Sequence, residues 1–115
     1  MKPQVRHVVS AVLTEGTDDF VPLDTLIWHA RATAGDRLDC PGLVHDVALA
    51  LVEGGLAKIG ELGDRIIPWP GTPEQVASRL VAQCAHFDWQ PQGAGCWIEN
   101  TPAGDAWVQR PTKEA

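Results

Sequence analysis

The residues of this chain best suited to covalent chemistry are its cysteines and the histidines near them. Cys40 lies directly before Pro41 at the predicted start of a helix, where the helix dipole can lower the pKa of a thiol. His45 follows five residues later, so a nucleophile with a neighbouring base is one use of the pair. A cysteine that caps a helix or is simply buried is the more common occupant of such a position. We therefore expect no catalytic residue here.

A second group, Cys84, His86 and Cys96, contains residue types that bind zinc. A structural zinc site needs four ligands, and helical residues two positions apart point in different directions. We therefore expect no metal site. The sequence also shows no glycine-rich phosphate loop, nucleophile elbow or paired metal-binding histidine motif. This pattern predicts a protein without a cofactor and without enzymatic activity.

The composition is that of a small folded protein. Its 115 residues match one domain, and 44% hydrophobic with 21% charged residues is typical of a packed core. Three unevenly spaced cysteines do not make a disulfide framework, which fits a reducing cytoplasm. Residues 1–4 carry no apolar signal segment, and no apolar run approaches the roughly 18 to 20 residues of a membrane span. We expect a cytoplasmic protein that does not enter a membrane.

Three helices are predicted in the first half of the chain. Helix 1 is expected over 4–15, where apolar residues recur three and four positions apart until a glycine ends the pattern. Residues 20–22 should be short and extended, because Pro22 disfavours helical angles in the residue before it. Helix 2 over 23–34 and helix 3 over 41–54 repeat the same spacing, and each is followed by glycine.

A hairpin and a fourth helix are predicted next. Runs 56–59 and 65–69 are β-prone and flank a glycine-containing turn. Pro68 cannot donate to a ladder, so the second strand should end there or lie at an edge. Helix 4 is expected over 72–87, because Thr72-Pro73-Glu74-Gln75 combines an N-cap, a first-turn proline and the glutamine of a capping box.

The remaining residues, 88–115, are predicted to form an irregular extension rich in tryptophan. Within it, Cys96-Trp97-Ile98 could form a strand, and Thr101-Pro102-Ala103-Gly104 could open a short final helix. The last residues, 110–115, are polar and should fray.

The order of helix, short strand, helix, helix and β-hairpin resembles the winged helix-turn-helix domain over residues 4–70. The resemblance is carried by the apolar stripe that starts at Val5, by Phe20-Val21-Pro22-Leu23, and by the segment 46–56. In that segment, DVALALVEGGL, a third helix turns through two glycines into a strand.

This resemblance implies an α+β fold with a three-helix core, a β-hairpin wing and one additional helix, all in a single domain over 1–115. The additional helix, 72–87, is of the kind that many such proteins use to form dimers. The segment Thr101-Pro102-Ala103-Gly104 also resembles the residues that follow a wing strand, although here it comes after helix 4.

In winged-helix regulators the third helix usually enters the major groove of DNA, and the wing contacts phosphate or the minor groove. Such binding needs cations, because phosphate contacts supply much of the affinity. Helix 3 contains no Lys or Arg, and its expected solvent face is acidic and apolar: His45, Asp46, Leu49, Ala50 and Glu53. The other cations nearby are few or offset by acids: Lys58 and Arg65 against Glu61 and Asp64 on the wing, and Arg31 and Arg37 near the loop between helices 2 and 3.

We therefore expect a regulatory or interaction protein that binds a protein partner, plausibly a basic one because the chain has a net charge of −6. The expected contact residues are His45, Asp46, Leu49, Glu53, Lys58 and Arg65, with Trp28 as a candidate aromatic anchor. The other tryptophans should pack the extension onto the domain. Two alternatives stay open: a DNA-binding transcriptional regulator that dimerises through 72–87, and a small acidic inhibitor or immunity-type protein that covers a basic active site.

Overall fold

A computed structural model of the chain describes residues 1–36 and 39–109, so Arg37, Leu38 and the tail 110–115 lie outside the described residues. The described part is an α+β fold with five helices and one antiparallel sheet of four strands. In chain order the elements are α1 (Pro3–Gly16), β1 (Val21–Pro22), α2 (Leu23–Ala34), α3 (Cys40–Glu53), β2 (Ala57–Leu62), β3 (Ile66–Pro68), α4 (Pro73–His86), β4 (Trp97–Asn100) and α5 (Pro102–Gln109).

The first three helices form because their apolar residues recur at helical spacing, and each buries that stripe. The prediction of these helices is confirmed, with α3 displaced by one residue at each end. Helix α3 is the central one, since α1, α2 and α4 all pack against it. Its buried residues are Leu43, Val44, Val47, Ala48 and Leu51.

The sheet has the strand order β1-β4-β2-β3, with β4 in its interior. Ile98 on β4 is opposite Val21 of β1 and Ile59 of β2, and its side chain is completely buried. The strand expected at 96–98 and the short helix expected from 101 are both present, as β4 and α5, so the description as an irregular extension is wrong for most of residues 88–109; residues 110–115 lie outside the described residues. Residues 97–100 form the strand that joins β1 to β2 in one sheet. Local sequence patterns do not predict this pairing, because the partner residues lie about 40 and 77 positions away in the chain.

The predicted hairpin is confirmed by the pairing of β2 with β3, in which Gly60 is opposite Pro68 and Leu62 is opposite Ile66. Strand β3 lies at an edge of the sheet, as the proline indicated. Two large apolar side chains, Leu62 and Ile67, remain exposed on this hairpin.

Helix α4 begins with the predicted capping box, in which the Thr72 hydroxyl accepts from the Gln75 amide and the Gln75 side chain accepts from the Thr72 amide. Its apolar stripe of Val76, Ala77, Leu80 and Cys84 is buried. The helix packs on α3 of the same chain rather than on α1. The apolar stripe of α4 is therefore used within the chain, and a homodimer through 72–87 stays a prediction that would need the outer face of the helix.

Helix α5 fastens the end of the sheet to the helical core. The Asn100 side-chain amide donates to the Leu13 carbonyl at 2.8 Å and to Asp105 Oδ1 at 2.9 Å. Gly104 lies against the backbone of Leu56, so close that a Cβ at this position would overlap the Leu56 carbonyl oxygen. None of the described helices is long and apolar enough to cross a membrane.

Candidate functional site

Helix α3 leaves little of its surface exposed. Of its 14 residues only Pro41, Asp46 and Glu53 are exposed, because three other helices surround it. The other members of the predicted contact face, His45, Leu49 and Ala50, are half-buried. The available surface is thus a narrow acidic edge rather than a whole helix face.

His45 is occupied by contacts within the chain. Its Nε2 lies 2.7 Å from Glu74 Oε2 on α4, and its Nδ1 lies 3.3 Å from Asp46 Oδ1. The hydrogen bond to Glu74 raises the pKa of His45, and the same bond lowers the pKa of the Glu74 carboxyl. His45 therefore joins α3 to α4, which is a different use from the partner contact expected of it.

A shallow groove runs between the start of α1 and the exposed edge of α3. It consists of two clefts of about 190 and 200 Å³ that share Lys2, Val5 and Asp46. The first cleft is completed by Gln4, Asp39, Gly42 and Leu43, and the second by Met1, Leu49, Ala50 and Glu53. We call these residues together the α1/α3 groove.

The rim of the α1/α3 groove on the α3 side is acidic and regularly spaced. Asp39, Asp46 and Glu53 follow one another at intervals of seven residues, or about 10 Å along a helix axis, so they lie on one side of α3. Apolar side chains, including Val5 and Leu49, line the groove beside them. Lys2 carries the only cationic side chain among the residues that line it, all of which lie in the described ranges.

The structure separates the hairpin residues Lys58 and Arg65 from this groove. Lys58 is exposed on β2 and lies opposite Glu99 of β4 in the sheet register, while Arg65 is exposed in the turn between β2 and β3. Neither lines the α1/α3 groove. Of the predicted contact set, the groove unites Asp46, Leu49 and Glu53.

Most of the tryptophans pack the molecule together. Trp69 is buried, donates from Nε1 to Glu61 Oε2 at 2.8 Å, and carries the Arg79 guanidinium 4.1 Å above its ring. Trp89 and Trp107 are half-buried against the core, and Trp97 is half-buried on β4. Trp28 differs, because 66% of it is exposed on the outer face of α2.

Trp28 borders a further cleft, outside the α1/α3 groove, that the sequence alone did not indicate. This cleft has a volume of about 230 Å³ and lies between α2 and the segment after α4; its lining residues are Asp24, Ile27, Trp28, Arg31, Trp89, Gln90, Pro91 and Gln92. We call it the Trp28/Trp89 cleft. The two tryptophans are 61 positions apart in the chain, so their proximity could not be predicted. The one local signal for the cleft was the helical spacing of Asp24, Trp28 and Arg31 on α2.

The cysteines do not have the environment of an activated nucleophile. Burial raises the pKa of the Cys40 thiol, more than the nearby Arg31 lowers it. Burial also raises the pKa of Cys84 to about 12 and raises the pKa of Cys96 further. All three are free thiols. Among residues 1–36 and 39–109, no group of three or more histidine, cysteine or acidic side chains is arranged to hold a metal ion.

Comparison with known proteins adds no family assignment. No protein-family model matches the chain, and no curated protein or solved structure matches it significantly.

Proposed function

We propose that this protein is a small cytoplasmic, non-enzymatic interaction module that binds a basic segment of a partner protein in the α1/α3 groove. The observation that carries the proposal is the acidic rim of Asp39, Asp46 and Glu53 beside an apolar groove lined by half-buried Leu49 and Ala50 and by exposed Met1. Apolar contacts supply affinity in such grooves, while the charges select the partner and speed its approach. The seven-residue spacing suits an amphipathic helix that places Lys or Arg once in every two turns.

The same surface is poorly suited to DNA. The exposed residues of α3 are a proline and two acids, so the helix offers no donor for a base edge and no cation for phosphate. Helix α4 also covers one side of α3. A protein partner therefore fits the charge and the exposed area better than a duplex does.

We further propose that the chain resembles a winged-helix domain in which β4, rather than β3, is the second strand of the wing. Strands β1 and β2 both pair with β4, so these three strands form one continuous sheet. In this assignment β2 and β4 are the two wing strands, and residues 63–96, which contain β3 and α4, are an insertion between them. The segment Thr101-Pro102-Ala103-Gly104 then directly follows a wing strand, which accounts for its late place in the chain.

The binding proposal is tested by nuclear magnetic resonance with a defined probe. A synthetic amphipathic helix of about 20 residues, made of Leu and Lys, is titrated into ¹⁵N-labelled protein. We expect the largest amide shift changes at Val5, Leu49 and Glu53. Changes centred on the hairpin near Arg65, or no localised changes at all, would overturn the proposal.

A further inference from the structure

We propose that the Trp28/Trp89 cleft is a second binding site, separate from the α1/α3 groove, for an extended proline-rich segment of a partner protein. The cleft combines two indole rings with the apolar side chains of Ile27 and Pro91. Proline-rich segments in the polyproline II conformation dock in aromatic-lined grooves of this kind, and they lose little conformational entropy because they are preformed.

Hydrogen-bonding capacity favours an acceptor-rich ligand. Within residues 1–36 and 39–109, the indole N–H groups of Trp28 and Trp89 and the side-chain amides of Gln90 and Gln92 make no hydrogen bond. An indole is a donor only, whereas each glutamine amide brings two N–H donors and an oxygen with two acceptor sites, so the excess of donors in the cleft comes from the two indoles. A proline-rich backbone offers carbonyl oxygens and few N–H groups. A sugar is less well matched, because each of its hydroxyls brings a donor together with its acceptor.

The charges of the cleft favour a neutral ligand. Asp24 and Arg31 lie one on each side of Trp28 along α2, and their opposite charges offset one another. Both are also engaged in holding the cleft together: Asp24 Oδ1 accepts from the Gly93 amide at 3.0 Å, and Arg31 Nη2 donates to the Trp89 carbonyl at 3.1 Å. A net charge of −6 over the chain further disfavours anionic ligands such as nucleotides or phosphopeptides.

The wall formed by residues 88–93 is held in an uncommon backbone conformation. Asp88, Trp89 and Gln92 have φ values of 52°, 62° and 51°, in the left-handed region that residues other than glycine seldom adopt. Such conformations persist where the surrounding contacts fix them, and they are found preferentially at binding sites. The two hydrogen bonds to α2 supply those contacts, so the cleft is formed before a ligand arrives.

The test is fluorescence anisotropy with a labelled peptide of about ten residues that has proline at two of every three positions. We expect saturable binding with a dissociation constant on the order of 100 μM, and a loss of about tenfold or more for Trp28→Ala. Gln92→Glu should also weaken binding, because it replaces a donor by an acceptor facing the peptide carbonyls. Trp28 is exposed, so its replacement should leave the fold intact, which far-ultraviolet circular dichroism checks.

The matched control is Ile67→Ala, which truncates an equally exposed apolar side chain on the hairpin, 63% of which is accessible. It should bind the peptide as the unmodified protein does, as should a variant with both Asp46 and Glu53 changed to Lys, because the α1/α3 groove is a different surface. The proposal is wrong if the unmodified protein shows no saturable binding of the proline-rich peptide, or if Trp28→Ala binds that peptide as well as the unmodified protein does. It is also wrong if a glycine-serine peptide of the same length binds equally well, or if a neutral trisaccharide such as maltotriose binds more tightly than the proline-rich peptide.

Discussion

His45 illustrates how one side chain can change its role when a distant element packs beside it. In the sequence it belongs to an acidic and apolar helix face, and nothing marks Glu74, 29 positions away, as its partner. The fold places α4 along α3, so the imidazole lies between Glu74 and Asp46. Helical periodicity places His45 on one face with Asp46, Leu49 and Glu53, but it does not encode the pairing of side chains between helices.

The His45–Glu74 pair predicts a pH-dependent stability. Since the folded pKa of His45 is raised above its ordinary 6.5, its contribution is full below that pH and is lost as the pH rises through the raised value. The folded pKa of Glu74 is lowered from its ordinary 4.5, so its contribution is present above that pH and is lost on acidification through the lowered value. The pair should therefore stabilise the folded protein most between pH 4.5 and pH 6.5.

The measurement is the difference in melting temperature between about pH 5.5 and about pH 8.5. His45→Gln should be destabilised relative to the unmodified protein at the lower pH and match it closely at the higher one. Glu74→Gln should lose the same pH-dependent part, but it should keep some destabilisation at the higher pH because the Glu74 carboxylate also accepts from the Ser78 hydroxyl. His7→Gln, which changes an exposed histidine on α1, serves as the control. A destabilisation by His45→Gln that is the same at both pH values would contradict the account.

At the scale of elements, the helices were predictable and the closure of the sheet was not. The stripes of α1 and α2 and the capping box at Thr72 are local patterns, so their positions could be assigned within one or two residues. Strand β4 has only four residues, and its place between β1 and β2 depends on pairing across long stretches of chain. The packing of α4 on α3 was equally hidden, because an apolar stripe indicates that a helix is buried but not against what.

The close docking of α5 predicts an inverted effect of a helix-favouring substitution. Gly104→Ala should stabilise an isolated helix by up to about 1 kcal/mol. Here the added methyl group would overlap the Leu56 carbonyl, and overpacking costs about 1–3 kcal/mol. We expect a net loss of about 1–2 kcal/mol in the free energy of unfolding, measured with urea.

Ala106→Gly is the companion variant, because Ala106 is exposed on the same helix. It should lose about 1 kcal/mol at most, the ordinary effect of helix propensity. If Gly104→Ala stabilises the protein instead, α5 is not docked as described.

For the molecule as a whole, the net charge of −6 matters through its placement. Seven-residue spacing along α3 could be read from the sequence, and it places Asp39, Asp46 and Glu53 on one edge. The other wall of the groove, formed by Lys2 and Val5, could not be predicted because it depends on how α1 crosses α3. The Trp28/Trp89 cleft was hidden for the same reason. Both candidate sites lie where elements distant in sequence meet. Helical periodicity predicts which residues line one wall of each site, but not which element forms the other wall.

The central claim, that the α1/α3 groove binds a basic partner segment, is tested most directly by calorimetric titration of the Leu/Lys helix into two charge-reversal variants. Asp46→Lys with Glu53→Lys changes the groove, whereas Asp18→Lys with Asp19→Lys makes the same change in net charge at the opposite end of α1, in an exposed turn. At about 0.1 M salt, where distant surface charges are largely screened, we predict that the groove variant binds about tenfold or more weakly and the turn variant changes by less than about twofold. Equal weakening in the two variants would show attraction to the overall charge and contradict a groove-specific site.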